Sequence, residues 1–343
     1  MVDDFLPPTP LKDSSNVWRN VISIVVFFFA MGSIGVYYFV QDDILLSNVS
    51  DVIGNVSLSP NLSVQTGGDV VFDPPAEVEL SKLPELVGEL LPPDHFGAEA
   101  IIVKDKESGV VLYGKNEYKL HSVASITKLM SARVFLEKEI DWDEVVEVTS
   151  QNVVDTHMYA GDMYSIDELW RAALVGSSNK AILTLANALG WPQVAFVERM
   201  NQKAEELGMA DTKFREPTGL DAGNISTASD LAILLDDVLD SEKIRETLLG
   251  KEVDLYSNER KKAHHIWNTN WLLLGWIPHD IVDFRGGKTG YIPAAGYNFT
   301  MQVADEYGHV INVVVLGADS HEARFTEARD VARHVFEVYE WGE

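Results

Sequence analysis

Three short stretches hold the residues best suited to chemistry: Ser125-Ile126-Thr127-Lys128, then Ser177-Ser178-Asn179, then Lys288-Thr289-Gly290. A serine hydroxyl is a weak nucleophile until a neighbouring base takes its proton. A lysine can be that base only if its ammonium gives up a proton readily, which desolvation or a second cation promotes. Lys128 follows Ser125 by three residues, about one helical turn, and Lys288 comes from a distant segment. The set therefore suits acyl transfer through a serine ester.

Each stretch alone is a weak signal. An S-x-x-K arises by chance roughly once in a chain of this length, and Ser177 with Lys180 also fits. S-x-N recurs at Ser14-Ser15-Asn16 and Ser59-Pro60-Asn61. Order and flanks decide. Ser125 opens an apolar-periodic run, with Leu129, Met130, Val134 and Phe135 on one helical stripe. Ser177 and Asn179 fall between helical patterns at 167–175 and 180–189, and Lys288 lies in a β-like segment after Arg285-Gly286-Gly287. Taking Ser177 and Lys180 as the reactive pair would leave Lys288-Thr289-Gly290 without an intervening S-x-N. Ser125 is the nucleophile on this reading, helped by the dipole of the helix it opens.

The elements that must position these groups begin near residue 93. Residues 98–105 and 109–114 read as a hairpin, followed by the Ser125 helix and a mostly helical stretch over 140–245. Segments 252–257, 283–290, 296–305 and 309–318 read as strands, and 321–341 as a closing helix. Strands at both ends with helices between predict a mixed α/β domain: one sheet plus a helical lobe.

Ahead of this domain, residues 21–40 are uncharged over twenty positions, enough to cross a ~30 Å hydrocarbon core. Lys12 and Arg19 precede that span, whereas Asp42, Asp43 and Asp51 follow it. The positive-inside bias puts residues 1–20 in the cytoplasm and the rest of the chain outside a cell membrane crossed once. The span is longer than the ~7–15-residue apolar region of a signal peptide, so it reads as a retained anchor. Residues 41–92, rich in Ser, Asn, Asp, Gly and Pro, read as a linker. That leaves 93–343 as the catalytic domain.

Composition excludes other classes. The chain has 343 residues, 46% hydrophobic and 23% charged, as a globular protein should. A net charge of −26 argues against a nucleic-acid partner, and the absence of cysteine excludes disulfides and thiolate metal sites. Arg285-Gly-Gly-Lys-Thr-Gly290 superficially resembles a phosphate-binding loop, but that motif needs Gly where Val282 stands and should open a helix. His264-His265 and His321-Glu322 lack metal-site spacing and read as surface or core-satisfied histidines. Trp267, Trp271 and Trp276 read as core packing in preference to a sugar-stacking platform. Asp141, Asp143 and Glu144 read as a solvated helix start.

The stretch Ser122-Val-Ala-Ser-Ile-Thr-Lys-Leu-Met-Ser-Ala132 resembles the nucleophile segment of the low-molecular-weight penicillin-binding proteins, which are D-alanyl-D-alanine carboxypeptidases and D,D-endopeptidases. Glu216-Pro-Thr-Gly-Leu-Asp221 with Ser226-Thr227-Ala228, Trp267-Asn-Thr-Asn270, and Lys288-Thr-Gly-Tyr-Ile-Pro-Ala-Ala-Gly-Tyr-Asn298 agree, so the resemblance spans about residues 93 to 341. It implies the transpeptidase and β-lactamase-like fold, an antiparallel sheet flanked by helices, and a D-alanyl-D-alanine carboxypeptidase acting on peptidoglycan stem peptides. β-Lactams would be covalent inhibitors, and no cofactor or metal is implied. Ser125 would attack the peptide carbonyl, with Lys128 as base and Lys288 lowering the Lys128 pKa while attracting the substrate anion. Ser177 would pass a proton to the leaving amine and Asn179 would hold a substrate amide. The backbone N–H groups of Ser125 and Tyr291 would bind the oxyanion. Thr289 would bind the substrate carboxylate, and Gly290 allows close backbone approach.

One position departs from the carboxypeptidase pattern. Where many carboxypeptidases of this family carry Asn-Arg-Asn, with the arginine on the terminal carboxylate, this chain has Asn268-Thr269-Asn270. That form resembles the endopeptidase branch, which cuts cross-links, and Arg285 is the candidate replacement cation. A β-lactamase would need a glutamate in an E-x-x-L-N run after Asn179, which is absent. A penicillin sensor would need a signalling partner domain larger than the residues before the anchor. A purely structural wall protein would have no reason to keep all three motifs intact.

Overall fold

The computed structural model describes residues 83–149, 153–155 and 157–342. The chain divides into two units, 1–75 and 76–343, and the described residues all lie in the second. The apolar span 21–40 and linker residues 41–82 lie outside them. No helix among the described residues is long and apolar enough to cross a membrane.

The chain enters through a short strand, β1 (Glu85–Leu86), and then builds the hairpin β2 (Ala100–Asp105) and β3 (Val111–Lys115). After β4 (His121–Ser122) and a 3₁₀ turn at Ala124–Ile126 comes α1 (Thr127–Phe135). The lobe that follows holds β5 (Val145–Glu147), β6 (Met163–Ser165), α2 (Ile166–Leu174), α3 (Asn179–Ala188) and α4 (Gln193–Glu206). It continues with β7 (Ile225–Ser226), α5 (Ala228–Asp240) and α6 (Glu242–Leu248). The hairpin β8 (Glu252–Ser257) and β9 (Lys262–Trp267) leads to β10 (Asp283–Ile292), β11 (Gly296–Ala304) and β12 (Val310–Ala318). The chain closes with α7 (Ala323–Val338) and β13 (Tyr339–Glu340).

The main sheet has the order β10-β11-β12-β2-β3, with every neighbour antiparallel. This is the mixed α/β architecture expected from strands at both ends of the domain. The 140–245 stretch carries α2, α3, α4 and α5 as the mostly helical reading expects, and adds short strands to them: β5 pairs with β6, and β7 with β4. The acidic cluster at 141–144 is accordingly a turn feeding β5 instead of a helix start. At the other end, β1 pairs with β13, so the fold engages the chain at Glu85, inside the segment read as linker.

Why β12 sits in the middle follows from its sequence. Val310-Ile-Asn-Val-Val-Val-Leu-Gly-Ala318 is nearly continuous in apolar residues, as a strand covered on both faces must be. Ile101, Val103, Val313 and Val315 face α7, where Phe325, Ala328, Val331 and Val335 meet them. Ala100, Ile102, Val314 and Leu316 face the helical lobe and join Leu231, Leu234 and Leu235 of α5. The lobe is itself capped and packed with care. Ser165 and Glu168 form a reciprocal capping box at the start of α2, worth about 1 kcal/mol. Trp170 is fully buried, and its indole N–H donates to Thr247 Oγ1 at 2.8 Å. The result leaves β10 as a free sheet edge facing the lobe, with α1 and α3 starting opposite it.

Candidate active site

Ser125 lies in the 3₁₀ turn just before α1, and Lys128 is in that helix's first turn. The turn is tightly held. Ala124 has φ of 48°, a left-handed conformation costly for a residue with a side chain. Two glycines press on it: a Cβ at Gly219 would come within 2.0 Å of the Ala124 carbonyl oxygen, and one at Gly290 within 2.7 Å of the Val123 carbonyl oxygen. Gly290 thus lets the β10 edge close directly onto the nucleophile's backbone, the close approach expected of it.

Lys128 is completely buried. Its Nζ lies 2.8 Å from Ser125 Oγ and donates to Asn179 Oδ1 and the Thr218 carbonyl, each at 2.7 Å. A neutral amine has two N–H groups for the latter pair and one lone pair left for the serine hydroxyl. Burial lowers its pKa to about 7, while the anions Glu216 and Asp155 limit the fall. Glu216 also fixes the Thr218 carbonyl, because its carboxylate accepts from Thr218 N (2.7 Å), Thr218 Oγ1 (2.6 Å) and Gly219 N (2.6 Å).

Ser177 also has a left-handed backbone, φ 58°. It turns its Oγ toward β10, where it accepts from Lys288 Nζ at 2.9 Å. Lys288 is buried, and its pKa falls well below the ordinary lysine value through burial first, then the positive charges of Lys128 and Arg324. Burial is the largest cause lowering both lysines, and the positive charges of Lys128 and Arg324 add to the fall at Lys288. Asn179 opens α3, gives its Oδ1 to Lys128, and donates from Nδ2 to Val154 O at 3.0 Å. Asp155 ties that loop down by accepting from Ser178 Oγ at 2.6 Å and from Lys180 N at 2.9 Å. Burial would raise its pKa, yet the donors from Ser178, Lys180, His157 and Met158 outweigh it and lower the value.

The Asn268-Thr269-Asn270 segment follows β9. Asn268 Nδ2 donates to the carbonyls of Leu248 and Gly250, and Asn270 Oδ1 accepts from the N–H groups of Leu272 and Leu273. The two asparagines are staples for the loop, and the middle residue meets β10: Thr289 Oγ1 donates to Thr269 Oγ1 at 2.6 Å.

Arg285 does not supply the missing cation. It sits at the β-bulge between Phe284 and Gly286, which turns it out to pair with Asp283 at 2.9 Å. The cation in the cleft is Arg324, which sequence reading did not single out. It is 3% exposed, bonds the Gly290 carbonyl at 3.3 Å and His321 Nε2 at 2.8 Å, and leaves its Nε–H without an acceptor. Burial lowers its pKa to about 10. The signal was its place on the stripe 324, 328, 331, 335, all buried on α7. An arginine on an otherwise apolar stripe needs an anionic or polar partner.

Ser125, Ser177, Thr269, Thr289, Tyr291 and Arg324 line one cleft of about 560 Å³. His321 lines it too, and is therefore neither a surface nor a satisfied core histidine, with its Nδ1 unpartnered. The tryptophans also depart from the core-packing expectation: Trp267 and Trp276 are 49% and 52% exposed and form one wall of the cleft. Chemically, the arrangement offers a serine on a poised amine base and buried donors ready for an anion.

Comparison with known proteins agrees in kind. The sequence profile of the D-alanyl-D-alanine carboxypeptidase family matches residues 89–320. A D-alanyl-D-alanine endopeptidase of Pseudomonas aeruginosa is 31% identical over 283 residues, 81% of this chain and 86% of that one. The D-alanyl-D-alanine carboxypeptidase DacD of Escherichia coli is 33% identical over 70% of this chain and 63% of its own length. Among solved structures, penicillin-binding protein D2 of Listeria monocytogenes, in its cefotaxime-bound form, aligns with a TM-score of 0.62 at 28% identity. That alignment covers 73% of this chain and 99% of that one.

Proposed function

Because the chain belongs to the D-alanyl-D-alanine carboxypeptidase family and is a serine D,D-peptidase, we propose that it removes the terminal D-alanine from peptidoglycan stem peptides through a Ser125 acyl-enzyme. The observation carrying this reading is the 2.8 Å approach of Lys128 Nζ to Ser125 Oγ, with burial holding that lysine's pKa near 7.

Lys128 takes the Oγ proton as Oγ bonds to the carbonyl carbon. The backbone N–H groups of Ser125 and Tyr291 stabilise the oxyanion. The C–N bond then breaks, and the leaving amine receives its proton through Ser177, which Lys288 orients. Asn179 fixes Lys128 through its carbonyl oxygen, and its remaining N–H is free for a substrate carbonyl. Thr289 and Arg324 hold the terminal carboxylate, the latter in the role that Thr269 cannot fill. Water attacks the ester, with Lys128 again taking a proton, and releases the shortened stem. β-Lactams would acylate Ser125 by the same route, consistent with a cefotaxime-bound relative.

We further propose that residues 21–40 anchor the enzyme in the cell membrane with residues 1–20 inside, on the strength of their uncharged length and flanking charges. Full-length protein in detergent should be labelled by fluorescent penicillin and should release D-alanine from a pentapeptide muropeptide. Ser125→Ala should lose both activities. Residual turnover in that variant at the wild-type rate would refute the assignment.

A further inference from the structure

The loop that carries Ser177 is short and strained. It runs over residues 175–178 between α2 and α3, and Ser177 is left-handed within it, with φ of 58°. A residue with a side chain keeps such a backbone only where its surroundings over-determine it. On one side, Ser178 N donates to the Ala172 carbonyl at 3.0 Å. On the other side stands the β8–β9 hairpin. Thr269 N donates to the Val175 carbonyl at 3.2 Å, and a Cβ at Gly176 would come within 2.3 Å of Ile266 Cγ2. Gly176 takes no positive φ, so the close approach of Ile266 is what excludes a side chain there.

The hairpin belongs to no larger sheet, and an isolated two-stranded hairpin is marginal in water. Its place is set by what it touches. Val253, Leu255 and Ile266 point into the lobe and are at most 2% exposed. At the tip, Arg260 Nε donates at 2.7 Å to Asp162 Oδ1, and Asp162 is fully buried. The same guanidinium lies 4.4 Å from the centre of the Tyr159 ring. At the base, Thr269 spans the Ser177–Lys288 pair. Its N–H binds Val175, two residues before Ser177, and its Oγ1 accepts from Thr289, the residue after Lys288.

We infer that the β8–β9 hairpin is a brace that fixes Ser177 against Lys288, with Ile266 and Arg260 as its positioning residues. On the D,D-peptidase reading above, on which this rests, Ser177 passes a proton to the leaving amine, and the hairpin aims that proton. The consequence depends on the leaving atom. When the Ser125 ester forms from an amide, the C–N bond breaks and nitrogen must take a proton as it leaves. When it forms from a thiolester of the same acyl group, the C–S bond breaks and sulfur departs with the electron pair and no proton. A displaced Ser177 therefore slows amide cleavage and spares the thiolester.

The test uses full-length protein in detergent and two substrates with one acyl group: a D-alanyl-D-alanine peptide and its analogue with D-2-mercaptopropionate in place of the last residue. For both, kcat/KM reports formation of the acyl-enzyme. Ser177→Ala should lose about a hundredfold on the amide, the lower range of general acid catalysis, and far less on the thiolester. Ile266→Ala, which removes the contact with Gly176, should lose about tenfold on the amide, since small displacements of a reacting group are costly. Its thiolester rate should stay within about twofold, and Ile266→Val should recover most of the amide rate. Arg260→Gln should show the same split at about threefold, and it decides if Ile266→Ala loses its thermal transition. Equal losses on both substrates in the hairpin variants, or no loss on either, would overturn the brace. Equal losses in Ser177→Ala would instead overturn the proton transfer assigned to Ser177, and a wild type that cleaves neither substrate would overturn the D,D-peptidase reading itself.

Discussion

Acylation should follow the protonation of one buried amine. Lys128 is in contact with Ser125 and is shifted by burial from 10.5 to about 7. Only the neutral amine accepts the serine proton, so the competent fraction rises with pH and levels off above about pH 8. At pH 5, two units below that pKa, about 1% of the enzyme carries the amine, and the rate should be about a hundredfold under its plateau. The assay is the second-order rate of acylation by fluorescent penicillin between pH 5 and 9 at constant ionic strength. Penicillin carboxylate stays ionised throughout, so the acid limb belongs to the enzyme. Glu216 raises the pKa of Lys128, whereas Lys288 owes its shift to burial, Lys128 and Arg324. Glu216→Gln should therefore move the acid limb to lower pH, provided that the variant retains its thermal transition. A rate flat from pH 5 to 9, or one still climbing toward the ordinary lysine value, would refute burial as the source of the base. A limb that Glu216→Gln leaves in place would assign the titration to Lys288.

Two further substitutions probe the walls of the cleft. Arg324→Ala should raise KM for a carboxylate-terminated peptide about tenfold or more, the loss of a charge-assisted hydrogen bond of roughly 1.5–3 kcal/mol. It should change hydrolysis of the corresponding C-terminal amide far less, and equal effects on acid and amide would remove Arg324 from carboxylate binding. Gly290→Ala would force a Cβ to 2.7 Å from the Val123 carbonyl oxygen, a backbone atom with little freedom to yield. It should cost about 1–3 kcal/mol by denaturant titration and slow penicillin acylation with it. Wild-type stability together with wild-type acylation would show that β10 does not close on the nucleophile as described.

What could be read from the sequence was local. The Ser125 helix, the hairpin at 98–114 and the strands from 283 to 318 each carry their own period, and each forms close to where that period places it. The residues that meet around Ser125 come from segments about 50 and 160 positions apart, and only a resemblance could join them. Misreadings arose where a residue type has two uses. A tryptophan near a core segment is apolar enough to bury, and nothing in Trp267-Asn-Thr-Asn-Trp271 tells which ring the β8–β9 hairpin will lift into the cleft. Arg285 stands three residues before Lys288, but Gly286, with φ of 145°, allows a bulge that breaks the alternation on which its direction depended. Arg324 was legible only as a violation, a charge on the buried stripe of the last helix.

That violation joins the site's electrostatics to its fold. Lys128, Lys288 and Arg324 are each at most 3% exposed, in a chain whose net charge is −26. At physiological salt the field of the outer carboxylates decays over about 8 Å, so it has little hold on groups sealed between α1, β10 and α7. Inside, desolvation sets the values, lowering all three pKa values together. A lone buried cation would be a simple cost to folding. Of these three, Arg324 lines the cleft, while the positive charges of Lys128 and Arg324 add to burial in lowering Lys288, which leaves the guanidinium, the least able to lose its proton, to hold the positive charge where an anion must bind. The division of labour between base and anion holder thus follows from intrinsic basicity under shared burial: amines near the serine, guanidinium at the carboxylate.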